Sequence, residues 1–295
     1  MNIVGKYKIW FGISLAVILI GLIIMATTGL NYGIDFTGGT MMQIDLGQTA
    51  PVDEVQSVIK DFNLNAEIVH AGQEKHEIII KTKASISNDE RIKILAAFVE
   101  KYKLDKDTVF RSVEQFGPSI GKEIQNKALL AILAASVCML IYITFRFEYV
   151  YGVSAITALL HDVLVLLAVY AIFRIPVNSS FIAAILTIVG YSINDTIVVF
   201  DRVRENMRRR KKEPFMEVAN NSILQTITRS LNTSLTTLVV IGSLYFLGVE
   251  QIKDFAFPLM SGVIVGTYSS IFIASPIWAL WKTKKEKVQK HYSKA

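Results

Sequence analysis

Six stretches of this chain stay apolar for long enough to cross a hydrocarbon layer of about 30 Å, which a helix does in roughly 20 residues. They run from Ile9 to Thr28, Ala128 to Phe145, Val150 to Phe173, Val177 to Phe200, Leu231 to Leu247 and Phe255 to Trp281. Within lipid a helix satisfies its own backbone amides and carbonyls, so the pattern predicts six transmembrane helices. The first stretch carries no small-residue cleavage site and is long enough to span, so it reads as a retained signal anchor.

Between the first two stretches the pattern changes: charged and apolar residues are interleaved from Asn31 to Gly117. Thr40 to Leu46 alternates Met42, Ile44 and Leu46 against Met41, Gln43 and Asp45, as a strand with one buried face does. After Pro51, Val52, Val55, Ile59 and Phe62 recur at helical spacing. Ala66 to Val69 and Glu77 to Lys81 read as strands separated by a turn around Gly72. Ser87 or Asn88 can cap a second helix bearing Ile92, Leu95, Phe98 and Val99, and Thr108 to Phe116 supplies a last strand before Gly117 and Pro118. The order strand, helix, strand, strand, helix, strand is that of a split βαβ fold. The fold class expected is therefore an α-helical polytopic membrane protein with one small α+β ferredoxin-like extracytoplasmic domain. The segment 118–127 reads as a helix-compatible lead into the second span. Phe215, Val218, Ile223 and Ile227, among polar neighbours, suggest an amphipathic helix at the inner surface.

Charge orients this arrangement. Lys6 and Lys8 precede the first span, Arg146 follows the second, Arg202 to Lys212 follows the fourth and Lys282 to Lys294 follows the sixth. The turns between are poorer in cations, with Arg174 after the third span and Glu250, Lys253 and Asp254 after the fifth. Positive loops stay inside, which predicts both termini in the cytoplasm and the domain outside the membrane. The chain then divides into residues 1–30, the outer domain 31–117, a five-helix region 118–281 with a cytoplasmic loop 201–230, and a basic tail 282–295. The net charge of +6 is explained by these flanks without a polyanion, so no nucleic-acid partner is expected. A content of 52% hydrophobic residues and a mean hydropathy of +0.42 agree with a lipid-embedded chain. The single cysteine, Cys138, lies in an apolar run, so neither a disulfide nor a thiolate metal site is expected.

Ionisable residues inside the spans carry the chemistry, because a charge near the bilayer centre costs at least roughly 2.5 to 3.5 kcal/mol. Asp195 lies in the fourth span, flanked by Asn194 and Thr196. Arg229 stands just before the fifth, ahead of Asn232, Ser234, Thr236 and Thr237. The fourth span runs inward and the fifth outward, so Asp195 and Arg229 can share one half of the membrane. A carboxylate there is held between desolvation and a neighbouring guanidinium, and a small change of distance would bind or release a proton. Asp195 and Arg229 are the expected proton relay. The plainer readings are a vestibule carboxylate and an arginine reaching for headgroups. His161 and Asp162 fall mid-span in the third helix, about 100° apart around it, with either a helix-to-helix contact or a proton-carrying role. No His-Glu-x-x-His, Gly-x-Ser-x-Gly, Walker or zinc spacing occurs, so no enzyme activity, metal or cofactor is expected. Gly262 and Gly266 form a G-x-x-x-G pair suited to close helix contact.

Four pieces of sequence carry a resemblance. They are Gly33-Ile34-Asp35-Phe36-Thr37-Gly38-Gly39-Thr40 after the first span, Leu160-His161-Asp162 in the third, Gly190 to Asn206 running out of the fourth, and Arg229-Ser230-Leu231-Asn232-Thr233-Ser234. Together they resemble the SecF family of protein-export membrane subunits, in the resistance-nodulation-division superfamily, and the resemblance spans essentially the whole chain. It looks like a stand-alone SecF rather than a fused SecDF. The resemblance implies pairing with SecD into a twelve-helix unit beside the SecYEG channel, with YajC a further candidate partner. Such a unit draws a translocating preprotein outward with the proton motive force. It also implies that the family's proton-path carboxylate falls on Asp195 and its arginine on Arg229, and that His161 and Asp162 match a family motif. Gly33, Asp35, Thr37, Gly38 and Gly39 would form either a hinge between membrane and domain or a rigid turn opening a strand. Two other classes stay open: a lipid or drug exporter half of the same superfamily, and a non-transporting scaffold of the export channel.

Overall fold

A computed structural model describes residues 2–72, 74–104, 110–210 and 212–292. Helix α1 (Tyr7–Thr28) leads through a one-turn helix α2 (Ile34–Thr37) into the small domain. The domain comprises β1 (Gly39–Asp45), α3 (Val52–Lys60), β2 (Ala66–Ala71), β3 (Glu77–Thr82), α4 (Asn88–Tyr102) and β4 (Phe110–Phe116). The chain then re-enters the helical body as α5 (Pro118–Arg146), α6 (Tyr149–Ile172), α7 (Ser179–Arg209) and α8 (Phe215–Leu247). The last span is α9 (Glu250–Ser269), a π-helical turn (Ser270–Ala274) and α10 (Ser275–Tyr292) in series.

The domain is a four-stranded antiparallel sheet in the order β2-β3-β1-β4, the arrangement of a ferredoxin-like split βαβ. Alternation along β1 buries Met42 and Ile44, which with Ile78 and Ile80 of β3 meet Val55 and Ile59 of α3 and Ile94 and Phe98 of α4. Helix α4 starts at a capping box: Ser87 Oγ accepts the Glu90 amide, and the Glu90 carboxylate accepts the Ser87 amide. Pro51 stands at the N-cap of α3, one position before the helical turn that the sequence suggests. Of the last strand, residues 108 and 109 lie outside the described residues.

At the open end of β1, Asp45 accepts the Gly47 amide and pairs with Arg111 at 2.7 Å. The Gly47 amide and the guanidinium hold its carboxyl below the usual carboxylate range. A depressed folded pKa means that this support is complete above the ordinary carboxylate range and is lost as pH falls through the depressed value. Asp45→Asn is accordingly expected to lower the domain's resistance to urea at neutral pH and to leave it nearly unchanged in acid, measured by tryptic cleavage in urea. A difference that persists undiminished in acid would contradict this.

Six helical segments are long and apolar enough to cross a membrane, which makes the chain a multi-pass membrane protein. They divide into a packed centre and a rim: the apolar windows of α6, α7 and the α9–α10 span are 56, 50 and 67% buried, against 11, 6 and 17% for α1, α5 and α8. The first group supplies most of the protein core; the others expose Leu129, Leu130, Leu133, Val239 and Val240 outward. Small residues set the closest approaches. A Cβ on Gly262 would meet Ile188 at 2.0 Å and one on Gly266 would meet Ser192 at 3.0 Å, so the G-x-x-x-G pair seats α9 on α7. Gly21 likewise lets α1 approach Ala168 of α6.

One expectation is corrected. Residues 202–229 hold no separate surface helix: α7 continues to Arg209, and α8 begins at Phe215 behind the N-cap Pro214. The apolar face of Phe215, Val218 and Ile223 is buried within the helical body, with Phe215 edge-on to Trp278 of α10. Asn220 on the same helix accepts the amides of Ile3 and Val4. Amphipathic spacing identifies a buried face but not whether lipid headgroups or protein will cover it.

Candidate functional site

Two carboxylates are buried in the packed centre, Asp162 on α6 with no exposure and Asp195 on α7 at 8%. Positions 192, 195, 196 and 199 lie along the face of α7 that turns inward, because three- and four-residue steps stay on one side of a helix. Asn194, off that face, is exposed.

Asp162 is fully engaged. Its Oδ2 accepts from Ser192 of α7 at 2.6 Å and from Ser269 of α9 at 2.9 Å, and its Oδ1 lies 3.0 Å from His161 Nδ1. The two neighbours on α6 diverge as helical geometry demands: Asp162 faces α7 and α9, while His161 Nε2 reaches Ser14 of α1 at 2.8 Å. Ser14 continues to the Tyr268 hydroxyl, which donates to the carbonyl of Trp10.

Asp195 is under-engaged. The hydroxyls of Ser230 on α8 and Ser270 in the π turn lie beside it, yet its Oδ2 and the Ser230 Oγ are buried without a hydrogen-bond partner among the described residues. Thr196, next to it, bonds Ser270 Oγ at 3.1 Å. Arg229 is exposed at the margin of the same cluster, and no ion pair joins it to Asp195 among the described residues. A buried carboxylate oxygen left open costs free energy comparable to a lost hydrogen bond or more, so this arrangement is one that protonation or a guanidinium would relieve.

The π turn explains why the serines converge here. Pro276 lacks an amide and cannot bond the carbonyl of Phe272, so the helix widens over Ser270–Ala274. Ser275 Oγ satisfies the Ser270 carbonyl five residues back, at 3.0 Å. The wider turn sends Ser269 to Asp162 and Ser270 to Thr196. Ser192 and Ser230 lie within the pieces of sequence that carry the family resemblance, with no role assigned, and Ser14, Tyr268, Ser269 and Ser270 lie outside them; a Ser-Ser pair six and seven residues before a proline in an apolar run is the signal that marks the last two.

Asn232 takes no part in this cluster. It is exposed on α8 and lines an apolar groove of about 440 Å³ with Leu235, Leu238 and Ile264. Ser234, at the buried wall of the same groove, bonds Thr267 of α9.

The glycine-rich stretch after α1 is clamped at the domain end of the bundle. Val177 donates to Asn31 and accepts from Gly33, each at 2.8 Å, and Asp35 Oδ2 accepts the Ser179 amide at the start of α7 at 2.8 Å. Gln125 of α5 donates to the Phe36 carbonyl, and Thr37 Oγ1 folds back on Gly33. Gly38 and Gly39 take φ of +80° and +148°, which side chains resist, and so turn the chain from α2 directly into β1.

Comparison with known proteins places this geometry. The model of the family described as protein export membrane protein SecD/SecF, C-terminal, matches residues 97–284, and that of the SecD/SecF GG motif matches residues 23–50. The protein translocase subunit SecF of Desulfurispirillum indicum is 39% identical, over 92% of this chain and 88% of its own length. The protein translocase subunit SecDF of Bacillus subtilis is 38% identical, over 96% of this chain. The crystal structure of SecDF from Thermus thermophilus, a translocon-associated membrane protein, superposes with a TM-score of 0.82 at 35% identity, over 96% of this chain. This chain spans 38% of the length of each of those two SecDF proteins. With more than half of its residues under one family model and near full-length SecF relatives, the chain belongs to the SecD/SecF family of protein-export membrane proteins, on the SecF side.

Proposed function

We propose that this chain is the SecF-type half of a proton-driven preprotein translocase, working with a SecD partner beside the SecYEG channel, with YajC as an accessory. Its termini lie in the cytoplasm and its α+β domain outside, an orientation supported by the cations at 202–212 and 282–294. It is a transporter subunit, not an enzyme. The observation that carries the reading is Asp195: a carboxylate buried where α7, α8 and the π turn meet, with one oxygen unpaired and Arg229 near but not engaged. In this reading a proton neutralises Asp195 in one conformation and Arg229 swings to it in the other. Each exchange shifts the preferred packing of α8 against α7. A proton crossing the field releases about 2.3 kcal/mol per 100 mV, enough to bias a conformational equilibrium of a few kcal/mol. The clamp of Asp35 on the first turn of α7 then carries the shift to the outer domain.

Arg229→Gln, co-reconstituted with the SecD partner and the channel, is expected to lower gradient-stimulated preprotein release about tenfold, the equivalent of about 1.4 kcal/mol, with Arg229→Lys intermediate. Release unchanged in Arg229→Gln would favour a non-transporting scaffold over a motor.

A further inference from the structure

The hydrogen bonds around His161 account for their protons one by one. Tyr268 has one hydroxyl hydrogen and gives it to the Trp10 carbonyl, the acceptor-only end of the chain, at 2.9 Å. Its contact with Ser14, at 3.2 Å, therefore uses the serine's hydrogen. The Ser14 hydrogen being spent, the 2.8 Å contact with His161 uses an Nε2–H. At 3.0 Å from Asp162 Oδ1, Nδ1 then needs a proton between the two atoms, because an imidazole lone pair facing a carboxylate would repel it. Either an imidazolium meets a carboxylate or a neutral ring meets a carboxylic acid. In both cases the pair holds two protons and has zero net charge.

We propose that His161 and Asp162 form a second proton-binding site, distinct from Asp195, whose unloading rewires the contact between the first and last spans. Removing one proton leaves a net charge of −1 and a single consistent arrangement. The Nε2–H bond breaks and its proton goes to water. The remaining proton lies on Nδ1, moving there from Asp162 if the loaded pair is the carboxylic-acid form, and donates to the Asp162 carboxylate, and Nε2 accepts the Ser14 hydrogen. Ser14 thereby withdraws its donation to Tyr268, and α1 loses a hydrogen bond to α9. Asp162 keeps its contacts with Ser192 and Ser269 throughout, so α6, α7 and α9 stay joined, while α1 keeps the Tyr268–Trp10 hydrogen bond to α9 and loses the one from Ser14. Burial makes the exchange matter: Asp162 is fully enclosed and Ser14 and His161 are 6 and 8% exposed.

Few other titratable groups face the pair. Tyr268 of α9 stacks on the imidazole at 5.9 Å, and Asp195 lies nearly one turn beyond Ser192 on α7. Lys8 of α1, Lys122, Glu123, Lys127 and Arg146 of α5, the run from Asp201 on α7 and the run from Lys282 on α10 lie toward helix ends. Asp254 and Lys253 stand at the start of α9. The binding site itself stands on the hydrogen-bond accounting; its service to export rests on the proton-driven reading above.

Imidazole ¹⁵N magnetic resonance of the full chain in lipid, with the His161 signals assigned through His161→Gln, tests it. The expected result is an Nε2–H in the loaded pair, with one transition on raising the pH that removes the Nε2 proton and leaves Nδ1 protonated. Asp162→Asn, whose amide donates permanently to Nδ1, should hold Nε2–H and abolish the transition, whereas Asp195→Asn should preserve it. Ser14→Ala should shift the transition by removing the Nε2–H acceptor, and serves as the second variant should Asp162→Asn fail to insert. A transition that removes the Nδ1 proton in place of the Nε2 proton, or one that neither variant alters, overturns the proposal. Because the signal is read without a gradient or a preprotein, it is independent of whether Asp195 drives export.

Discussion

Asp195→Asn is expected to remove the stimulation of preprotein release by a proton gradient, down to the gradient-free rate, while leaving insertion and thermal stability intact. Asparagine matches the shape of aspartate and keeps its hydrogen-bonding reach to Ser230 and Ser270, but it neither binds nor releases a proton in this range. The wild-type carboxylate sits at 8% exposure with Oδ2 unpaired, so replacing it by a neutral group removes a buried, poorly satisfied charge rather than a support of the fold. The outcome therefore separates motor from structure: activity falls while the melting temperature holds or rises. The measurement is release from vesicles with and without an imposed gradient, beside a thermal scan of the purified chain. Undiminished stimulation in Asp195→Asn would remove the proposed relay, and a collapse of stability would show that the carboxylate serves packing instead.

Gly39→Ala is expected to loosen the small α+β domain by about 3 kcal/mol, a cost drawn from a strained backbone position together with a clash against backbone. At φ +148° no side chain sits comfortably, and a Cβ there would lie 2.2 Å from the Thr82 carbonyl oxygen and 3.0 Å from the Lys83 Cα. Neither atom belongs to a flexible side chain. The Thr82 backbone is held in the β1–β3 ladder opposite Thr40, so relief requires giving up the first rungs of the sheet. Hydrogen exchange of the full chain should show faster exchange of the β1 and β3 amides, with the helices unaffected. The neighbouring Gly47, also at positive φ but with open space around its Cβ direction, provides the contrast: Gly47→Ala should cost less. Equal effects at the two glycines would mean that the conformation alone, not the contact with β3, governs this turn.

The six spans and the ferredoxin-like order of the small domain were legible because both follow from local periodicity. An apolar run of sufficient length has one use for its backbone in lipid, and the alternation that buries Met42 and Ile44 is written in adjacent residues. The start of α4 was legible for the same reason, with Ser87 or Asn88 as the cap, and the structure places Ser87 there. Asp195, Arg229, His161 and Asp162 stood out because charge in an apolar run is costly wherever the helix ends up.

What those residues do to one another was decided by tertiary packing. Nothing in the spacing indicates that Asp162 would be closed in by Ser192 and Ser269 while Asp195 keeps an open oxygen, or that His161 would bond to a serine of the first span. The first depends on the rotation of α7 and α9, set by Gly262 and Gly266 against Ile188 and Ser192, and on a π turn imposed by Pro276; the second depends on the approach of α1 to Ala168 of α6 at Gly21. The amphipathic stretch 215–227 belongs with these cases, since its apolar face suits lipid headgroups or a neighbouring helix equally, and here it lies in the helical body beside Trp278. Sequence thus determined which segments lie in the membrane and which side chains pay a penalty for being there. The three-dimensional arrangement determined their partners, because a hydrogen bond depends on distances of tenths of an ångström between helices far apart in the chain.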